Sequence, residues 1–441
     1  MVELKRTELS VRQEKAVLVG VLLNGRTNGQ TDPLDELAGL ATTAGARVAG
    51  KLIQKRQSPD RSTYLGRGKV DELRELIAAN DADVVVFNND LSPAQIRNLE
   101  LATDTKVLDR TELILDIFAT RAQTHEARLQ VELAQLQYAL PRLKRMWTHL
   151  SRMEGGIGTR GPGEQQLEED RRLVEDRITD LRRRIKQVAK RKEQQVSARG
   201  DQWTVSLVGY TNAGKSTLMN AMTGADVLVE DKLFATLDTR TRRWPVPGLG
   251  TVLLSDTVGF IRDLPHHLVA SFKATLEEAR RANLLLHVVD ASNPAAPEQI
   301  QAVSDVLEQL ECGEHATLLV LNKVDAIEDR SILDVLRSQY PEAVSVSART
   351  GAGLAGLRTR VADLLSRSFL DAEVECDAGN GRVLAQLAAH GEVISRHFTD
   401  GRAVVRCRIP PAWFSTLERE GGVVVRLAGP PSLDEHVASS D

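Results

Sequence analysis

Four short apolar runs mark the first 120 residues: 16–23, 48–53, 84–87 and 107–108. Each has strand length and is too continuously apolar for one wet face, as expected of a parallel sheet covered on both sides. Helical spacing fills the gap at 33–44 and the stretch from Gly66-Arg67-Gly68 to about residue 79. Ser92-Pro93 offers a cap and first turn for a helix reaching residue 101. The alternation predicts a small parallel α/β domain over residues 1–120.

From residue 129 the period lengthens. Leu129, Leu133, Leu136, Leu140, Leu143, Trp147 and Leu150 recur in steps of four and three, and Leu167, Val174, Ile178, Leu181, Ile185 and Val188 keep that register with one position skipped. Two such seams predict a long antiparallel helical hairpin over 121–200. Pro141 falls inside the first seam and is expected to kink or divide it. The connection EGGIGTRGPGE (154–164) carries Gly155, Gly156, Gly158, Gly161 and Gly163 around Arg160, a backbone-rich tip suited to docking.

Residues 201–368 return to strand-length runs, each closed by a polar cluster. The run 205–208 leads into GYTNAGKS (209–216), the phosphate-binding loop pattern. Glycines let successive amides face an anion, Lys215 reaches the β- and γ-phosphates, the Ser216 hydroxyl suits Mg²⁺, and a helix starting near Lys215 adds its positive end. A Thr-rich loop follows at 232–242, where Thr236 or Thr239 can add a second hydroxyl to the metal. The run 252–255 ends in Asp256-Thr257-Val258-Gly259, whose carboxylate reaches Mg²⁺ through water and whose Gly259 amide senses the γ-phosphate. The runs 284–290 and 317–321 come next, the second closed by Asn322-Lys323-Val324-Asp325. Asp325 can take both donors of the guanine edge, which adenine lacks. Ser347-Ala348-Arg349, after 344–346, can offer backbone to guanine O6. Five strings in this order, each at a strand end, specify a GTP-binding domain.

Two positions refine the chemistry. Phe260 stands where many GTPases carry a water-orienting Gln, so intrinsic hydrolysis is expected to be slow unless a partner or another group positions the water. Asn212 fits two roles equally: coordinating a monovalent cation such as K⁺, or shaping the loop. Beyond residue 369 a helix at 382–390, strands at 392–398 and 403–409 joined by a turn at Thr399-Asp400-Gly401, and a further strand at 421–427 predict a small α+β domain over 369–441 with a disordered end.

Charge changes the picture of the middle segment. The whole 441-residue chain carries −4, yet residues 121–200 hold 18 Lys and Arg against 11 Asp and Glu, a net +7. A basic two-helix projection on an otherwise acidic chain points to nucleic acid. Aromatics are only 4% of residues, so phosphate and shape recognition of folded RNA is expected rather than base stacking. Three scattered cysteines and apolar runs too short for a bilayer suggest a cytoplasmic protein without zinc or disulfides.

In its full order the chain resembles the HflX family of translation-associated GTPases. TYLGRGKVDEL (63–73), MWTHLSR (146–152), GGIGTRGPGEQQLEEDRR (155–172), GYTNAGKSTL, FATLD and DTVGF carry the resemblance. One departure is Gln165, where the family has Thr. The resemblance implies a P-loop GTPase domain with the three accessory units above, in a cytoplasmic monomer bound to the large ribosomal subunit. The hairpin and N-terminal domain would face rRNA near the peptidyl transferase centre, with the tip residues Gly155, Gly156, Gly158, Arg160, Gly161 and Gly163 in contact. Family members separate stalled ribosomes into subunits.

Carried over by position, GTP contacts fall on Gly209, Tyr210, Thr211, Asn212, Ala213, Gly214, Lys215 and Ser216. They continue on Phe234, Ala235, Thr236, Leu237 and Asp238, then on Asp256, Thr257, Val258 and Gly259. The last fall on Asn322, Lys323, Val324, Asp325, Ser347, Ala348 and Arg349. Mg²⁺ falls on Ser216 and Thr236, which favours Thr236 over Thr239. Catalysis falls on Lys215, Thr236, Gly259 and Asn212. A GTPase coupled to RNA modification and a membrane-linked switch are the competing readings. Against them, the N-terminal third shows no catalytic Cys or dinucleotide fingerprint, and the chain shows no lipidation signal.

Overall fold

The computed structural model describes residues 14–23, 32–148, 162–197, 202–224, 233–247, 249–262, 277–313, 315–367 and 369–427. Its first sheet has strand order β2-β1-β3-β4, with β1 (Lys15–Leu23), β2 (Arg47–Arg56), β3 (Val84–Phe87) and β4 (Lys106–Asp109) all parallel. Helices α1 (Asp35–Ala44), α2 (Arg67–Asn80), α3 (Pro93–Thr103) and α4 (Arg110–Arg121) cover it. Alternate strand residues serve opposite faces: Val17, Val19, Val85 and Phe87 pack on α2 and α3, while Ala16, Leu18, Val84 and Val86 pack on α1 and α4. Ser92 caps α3 in a full capping box with Gln95. Helix α4 was not foreseen from the sequence pattern; Leu113, Ile114, Leu115, Ile117 and Phe118 are buried, while Glu112, Asp116 and Thr120 line its wetter face.

Helices α5 (His125–Thr148) and α6 (Pro162–Ser197) pack together through Leu129, Leu133, Leu136 and Leu140 on one and Val174, Ile178, Leu181 and Ile185 on the other. Pro141 does not divide α5, contrary to one expectation. Arg142 Nη1 donates to the Tyr138 carbonyl (3.2 Å), and buried contacts hold the helix near the proline. The tip residues Gly155, Gly156, Gly158, Arg160 and Gly161 lie outside the described residues, whereas Gly163 falls in the first turn of α6.

The second sheet runs β10-β9-β8-β5-β7-β6. It contains β5 (Thr204–Gly209), β6 (Arg240–Val246), β7 (Gly250–Asp256), β8 (Leu284–Asp290), β9 (Thr317–Asn322) and β10 (Val344–Ser345), with only β6 antiparallel. Helices α7 (Lys215–Thr223), α8 (Glu277–Arg280), α9 (Ala296–Gln309), α10 (Arg330–Gln339) and α11 (Leu354–Ser366) accompany it. The stretch read as a loop to residue 242 becomes strand at Arg240, because β6 pairs with β7 and buries Trp244.

The third sheet, β12-β13-β11-β14, is antiparallel: β11 (Leu370–Asp377), β12 (Glu392–Thr399), β13 (Arg402–Ile409) and β14 (Val424–Leu427). It packs on α12 (Gly381–His390) and α13 (Pro411–Glu418). The expected turn at Asp400-Gly401 has both residues at positive φ, 50° and 78°. Strand β11 and helix α13 were not foreseen; β11 alternates acidic and small apolar residues and has little β-branched content.

The first two sheets share one core. Leu37, Ile114 and Phe118 of the N-terminal region and Tyr138 of α5 join Tyr210, Phe234, Val258 and Phe260 of the nucleotide region in a single buried cluster. Phe118 meets Phe234 edge-to-face at 4.7 Å, a geometry worth about 1 kcal/mol beyond its area. Among the described residues no helix is long and apolar enough to cross a membrane, and all three cysteines are buried.

Candidate functional site

The strings singled out in 201–368 converge at the carboxyl ends of β5, β7, β9 and β10. Gly209 and Gly214 bracket the loop between β5 and α7 at φ +148° and +89°. A Cβ on Gly209 would lie 2.2 Å from the Val288 carbonyl oxygen, and one on Gly214 would lie 2.4 Å from Asn322 Nδ2. Both positions therefore need glycine for space as well as for conformation. Asn212, between them, is also left-handed at φ 61°, a conformation Asn accepts more readily than most residues. This geometry fits its loop-shaping role and leaves the cation role open.

Lys215 is buried, and its Nζ donates to the carbonyls of Gly209 (3.0 Å) and Tyr210 (2.9 Å). Burial lowers its pKa to about 8, against the opposing pull of Asp256. The ammonium is thus tethered over the loop it would bridge to phosphate.

Three oxygen-bearing side chains meet beside it. Ser216 Oγ donates to Asp256 Oδ2 (2.6 Å), Thr236 Oγ1 reaches the same oxygen (3.2 Å), and the two hydroxyls are 2.8 Å apart. Asp256 Oδ1 is buried and has no partner among the described residues. Burial raises the Asp256 pKa, opposed by Lys215, Ser216 and Thr236. An all-oxygen set with a buried carboxylate oxygen unengaged fits a small hard cation. Thr236, the hydroxyl that the resemblance favoured, belongs to this set.

The base-reading strings are wired to the same loop. Asn322 Nδ2 donates to the Ala213 carbonyl (2.9 Å), and Asn322 Oδ1 accepts from the Ala348 amide (3.0 Å). Ser347 Oγ donates to Asp325 Oδ1 (2.6 Å), and Lys323 Nζ pairs with Asp290 at 2.8 Å. One asparagine therefore holds the phosphate loop and the second base-reading string in register. Ser347 orients the carboxylate expected to read guanine.

Several residues expected at GTP turn their side chains elsewhere. Phe234, Leu237 and Val258 are buried in the core shared with the N-terminal helices. The Tyr210 hydroxyl donates to Glu36 of α1 and accepts from the Arg262 amide (2.8 Å). Glu36 also pairs with Arg110, whose Nη2 donates to the Arg262 carbonyl (2.9 Å). The Asp238 carboxylate faces the start of α5. Sequence reading missed Glu36, Arg110 and Arg262. Each is an ordinary charged residue locally and gains meaning only from the packing of two distant segments.

Family models match nearly the whole length up to residue 323. "GTP-binding GTPase N-terminal" matches residues 31–119, "GTP-binding GTPase Middle Region" residues 121–199, and "50S ribosome-binding GTPase" residues 204–323. The chain is 48% identical to GTPase HflX of Escherichia coli (strain K12) over 84% of its own length and 87% of that protein's. It is 43% identical to GTPase HflX of Lacrimispora saccharolytica over 93% of its own length and 97% of that protein's. A solved complex of SsGBP with GDP aligns at 24% identity and TM-score 0.46, covering 80% of this chain and 99% of that one. The family models over both accessory regions and the nucleotide region, with the sequence identity to proteins named GTPase HflX, place the chain in the HflX family of GTPases, which bind and hydrolyse GTP.

Proposed function

We propose that the chain is a GTPase of the large ribosomal subunit whose nucleotide state governs binding and release, in the separation of stalled ribosomes or in subunit biogenesis. The observation that carries this is the attachment of a basic helix pair to the nucleotide region. Arg182, Lys186, Lys190 and Arg191 are exposed on α6, while α5 is fixed at its start by Asp238 and further along by Asp109 of β4. A nucleotide-dependent loop thus holds one end of an arm suited to RNA phosphates. The matching family description, a 50S ribosome-binding GTPase, agrees with that partner. The tip around Arg160 is proposed to touch rRNA, and the protein to act as a cytoplasmic monomer.

At the site, the loop amides of 209–216 and Lys215 take the phosphates, and the Gly259 amide takes the γ-phosphate. Ser216 and Thr236 would hold Mg²⁺, with Asp256 behind them, and the ion would supply positive charge against that developing on the phosphates. Asp325 reads guanine with Ser347, Ala348 and Arg349 alongside. Asn212 is the candidate ligand for K⁺. GTP turnover by the purified protein, alone and with isolated large subunits, in K⁺ and in Na⁺, tests this. We expect strong stimulation by the subunit, lost on deletion of residues 155–163. No stimulation leaves the GTPase standing and removes the subunit as its activator. Equal rates in the two salts remove the K⁺ role.

A further inference from the structure

Strands β8 and β9 end side by side. Asp290 pairs in register with Asn322, and the Ala291 amide donates to the Asn322 carbonyl (2.9 Å). Parallel strands deliver the residues that follow them to one edge of the sheet, here the edge that carries the phosphate loop and the base-reading strings. Asp290 closes β8 with a carboxylate after six buried residues, so packing does not account for it.

Both of its oxygens are engaged. Oδ1 accepts from the Ser292 amide (3.0 Å) and the Ser292 hydroxyl (2.6 Å), which fixes the carboxylate from behind. Oδ2 pairs with the Lys323 ammonium at 2.8 Å, and the two side chains are only 16% and 29% exposed. A pair this shielded is screened less than one on the open surface.

Lys323 itself is held in an uncommon conformation. Its φ of 61° is left-handed, which a residue with a long side chain adopts only where its surroundings impose it. Here the Lys323 carbonyl accepts from the Ala326 amide (2.9 Å), and the Val324 amide donates to the Val346 carbonyl (3.3 Å). The stem passes beside the phosphate loop: a Cβ built on Gly214 would lie 3.9 Å from Lys323 Cε, an ordinary contact distance. The lysine therefore starts two residues before Asp325, passes Gly214 and ends at Asp290.

We propose that Asp290 is a positioning residue of the nucleotide site: by holding the Lys323 ammonium it fixes the lysine stem as an apolar wall beside the base that Asp325 reads. A free lysine stem has many rotamers, and ordering it during binding would weaken affinity. The ion pair orders it beforehand. Asp290 acts on the nucleotide only through Lys323 and has no part in the chemical step. The inference rests on the assignment of Lys323 and Asp325 to the nucleoside half of GTP and is independent of the ribosomal partner.

The test is a double-mutant cycle in the full-length protein. Asp290→Asn keeps an acceptor for Ser292 and removes the ion pair, while Lys323→Met keeps an unbranched stem and removes the charge. Dissociation rates of GDP and of a non-hydrolysable GTP analogue are measured for the parent, both single variants and the double. Single-turnover GTP hydrolysis is the second readout. We expect each single variant to release both nucleotides about fivefold to tenfold faster, and the double variant to be no faster than either. Hydrolysis of bound GTP should stay within about twofold of the parent. Factors that multiply in the double variant would overturn the proposal, because Asp290 would then act without Lys323. Faster release from Lys323→Met alone, with Asp290→Asn at the parent rate, would overturn the tether and leave Lys323 at the nucleotide. Parent rates in both single variants would remove Lys323 from the site itself. Hydrolysis falling as far as affinity would also overturn the proposal, showing that the pair supports the whole site.

Discussion

Asp238 and Thr124 join the loop that carries Thr236 to the helix pair. The Asp238 carboxylate accepts from the Thr124 hydroxyl, from the Thr124 amide (3.2 Å) and from the Gln123 amide (3.2 Å). Thr124 in turn accepts from the Ala127 amide through Oγ1 (3.1 Å), so it caps α5 while Asp238 holds the cap. A carboxylate at a helix start also meets the positive end of the helix dipole. Asp238 lies two residues after Thr236, so a loop displaced on loss of the γ-phosphate would withdraw this anchor.

Asp238→Ala is therefore expected to destabilise the protein by about 1–2 kcal/mol in denaturant unfolding. Amide exchange should accelerate at Ala127 and Arg128, the first turn of α5, with little change in α11. Unchanged exchange there would show that the contact does not hold the helix.

A second anchor lies deeper. Asp109 is fully buried and accepts from Tyr138 Oη (2.7 Å), Arg142 Nη2 (2.8 Å) and the Glu112 amide (2.9 Å). Arg142 also lies 3.3 Å from the Tyr138 ring centroid, which ties α5 to the end of β4. Burial raises the Asp109 pKa, with Tyr138 and Arg142 opposing. Asp109→Ala leaves the buried Tyr138 hydroxyl and the half-buried Arg142 guanidinium without their carboxylate and is expected to cost about 2–4 kcal/mol, whereas Tyr138→Phe removes one hydrogen bond at about 1–2 kcal/mol. Equal, small losses in both variants would mean that water replaces the carboxylate.

These anchors mark the boundary of what the sequence could show. The parallel sheets, the phosphate loop and the paired seams were legible because each rests on local pattern: β-runs of fixed length, glycines at fixed spacing, leucines in steps of three and four. Gly209 and Gly214 announced a loop whose space their neighbours then forbade to any side chain. Asp238 and Tyr210 were read as parts of a motif, and their motif neighbours masked that their side chains serve the start of α5 and helix α1. Strand β6 was hidden by its Thr- and Arg-rich start. The side-chain bridges made by Glu36, Arg110 and Asp238 join segments remote in sequence, which carry no shared local period.

His287 of β8 provides a pH test. It is buried, Nε2 has no partner among the described residues, and its pKa falls to about 4, chiefly by burial and then by the charge of Lys215. The unfolded chain holds the ordinary value near 6.5 and so binds the proton more readily than the fold. The stability contributed by the neutral ring is complete above about pH 6.5 and is lost as pH falls towards 4. Unfolding free energy should therefore drop across that window by more in the parent than in His287→Phe. Parallel profiles for the two proteins would show that the ring titrates normally.

Guanine selection should depend on Asp325 through hydrogen-bond polarity rather than charge alone. A carboxylate only accepts, which matches the N1–H and N2 amino donors of guanine, and the Ser347 hydroxyl fixes one carboxylate oxygen at 2.6 Å. In Asp325→Asn one of the two acceptors becomes a donor and confronts the N2 amino group donor to donor. Xanthine carries a carbonyl at that position and accepts what the new amide offers. Asp325→Asn is thus expected to lose GTP affinity by about 100-fold or more and to gain affinity for the xanthine nucleotide. Ser347→Ala frees the carboxylate to rotate while keeping its polarity, so it should weaken GTP binding by about tenfold without the switch to xanthine. Competition binding with GTP, ATP and XTP reads both effects. If Asp325→Asn lowers all three affinities equally, the residue supports the loop and does not read the base.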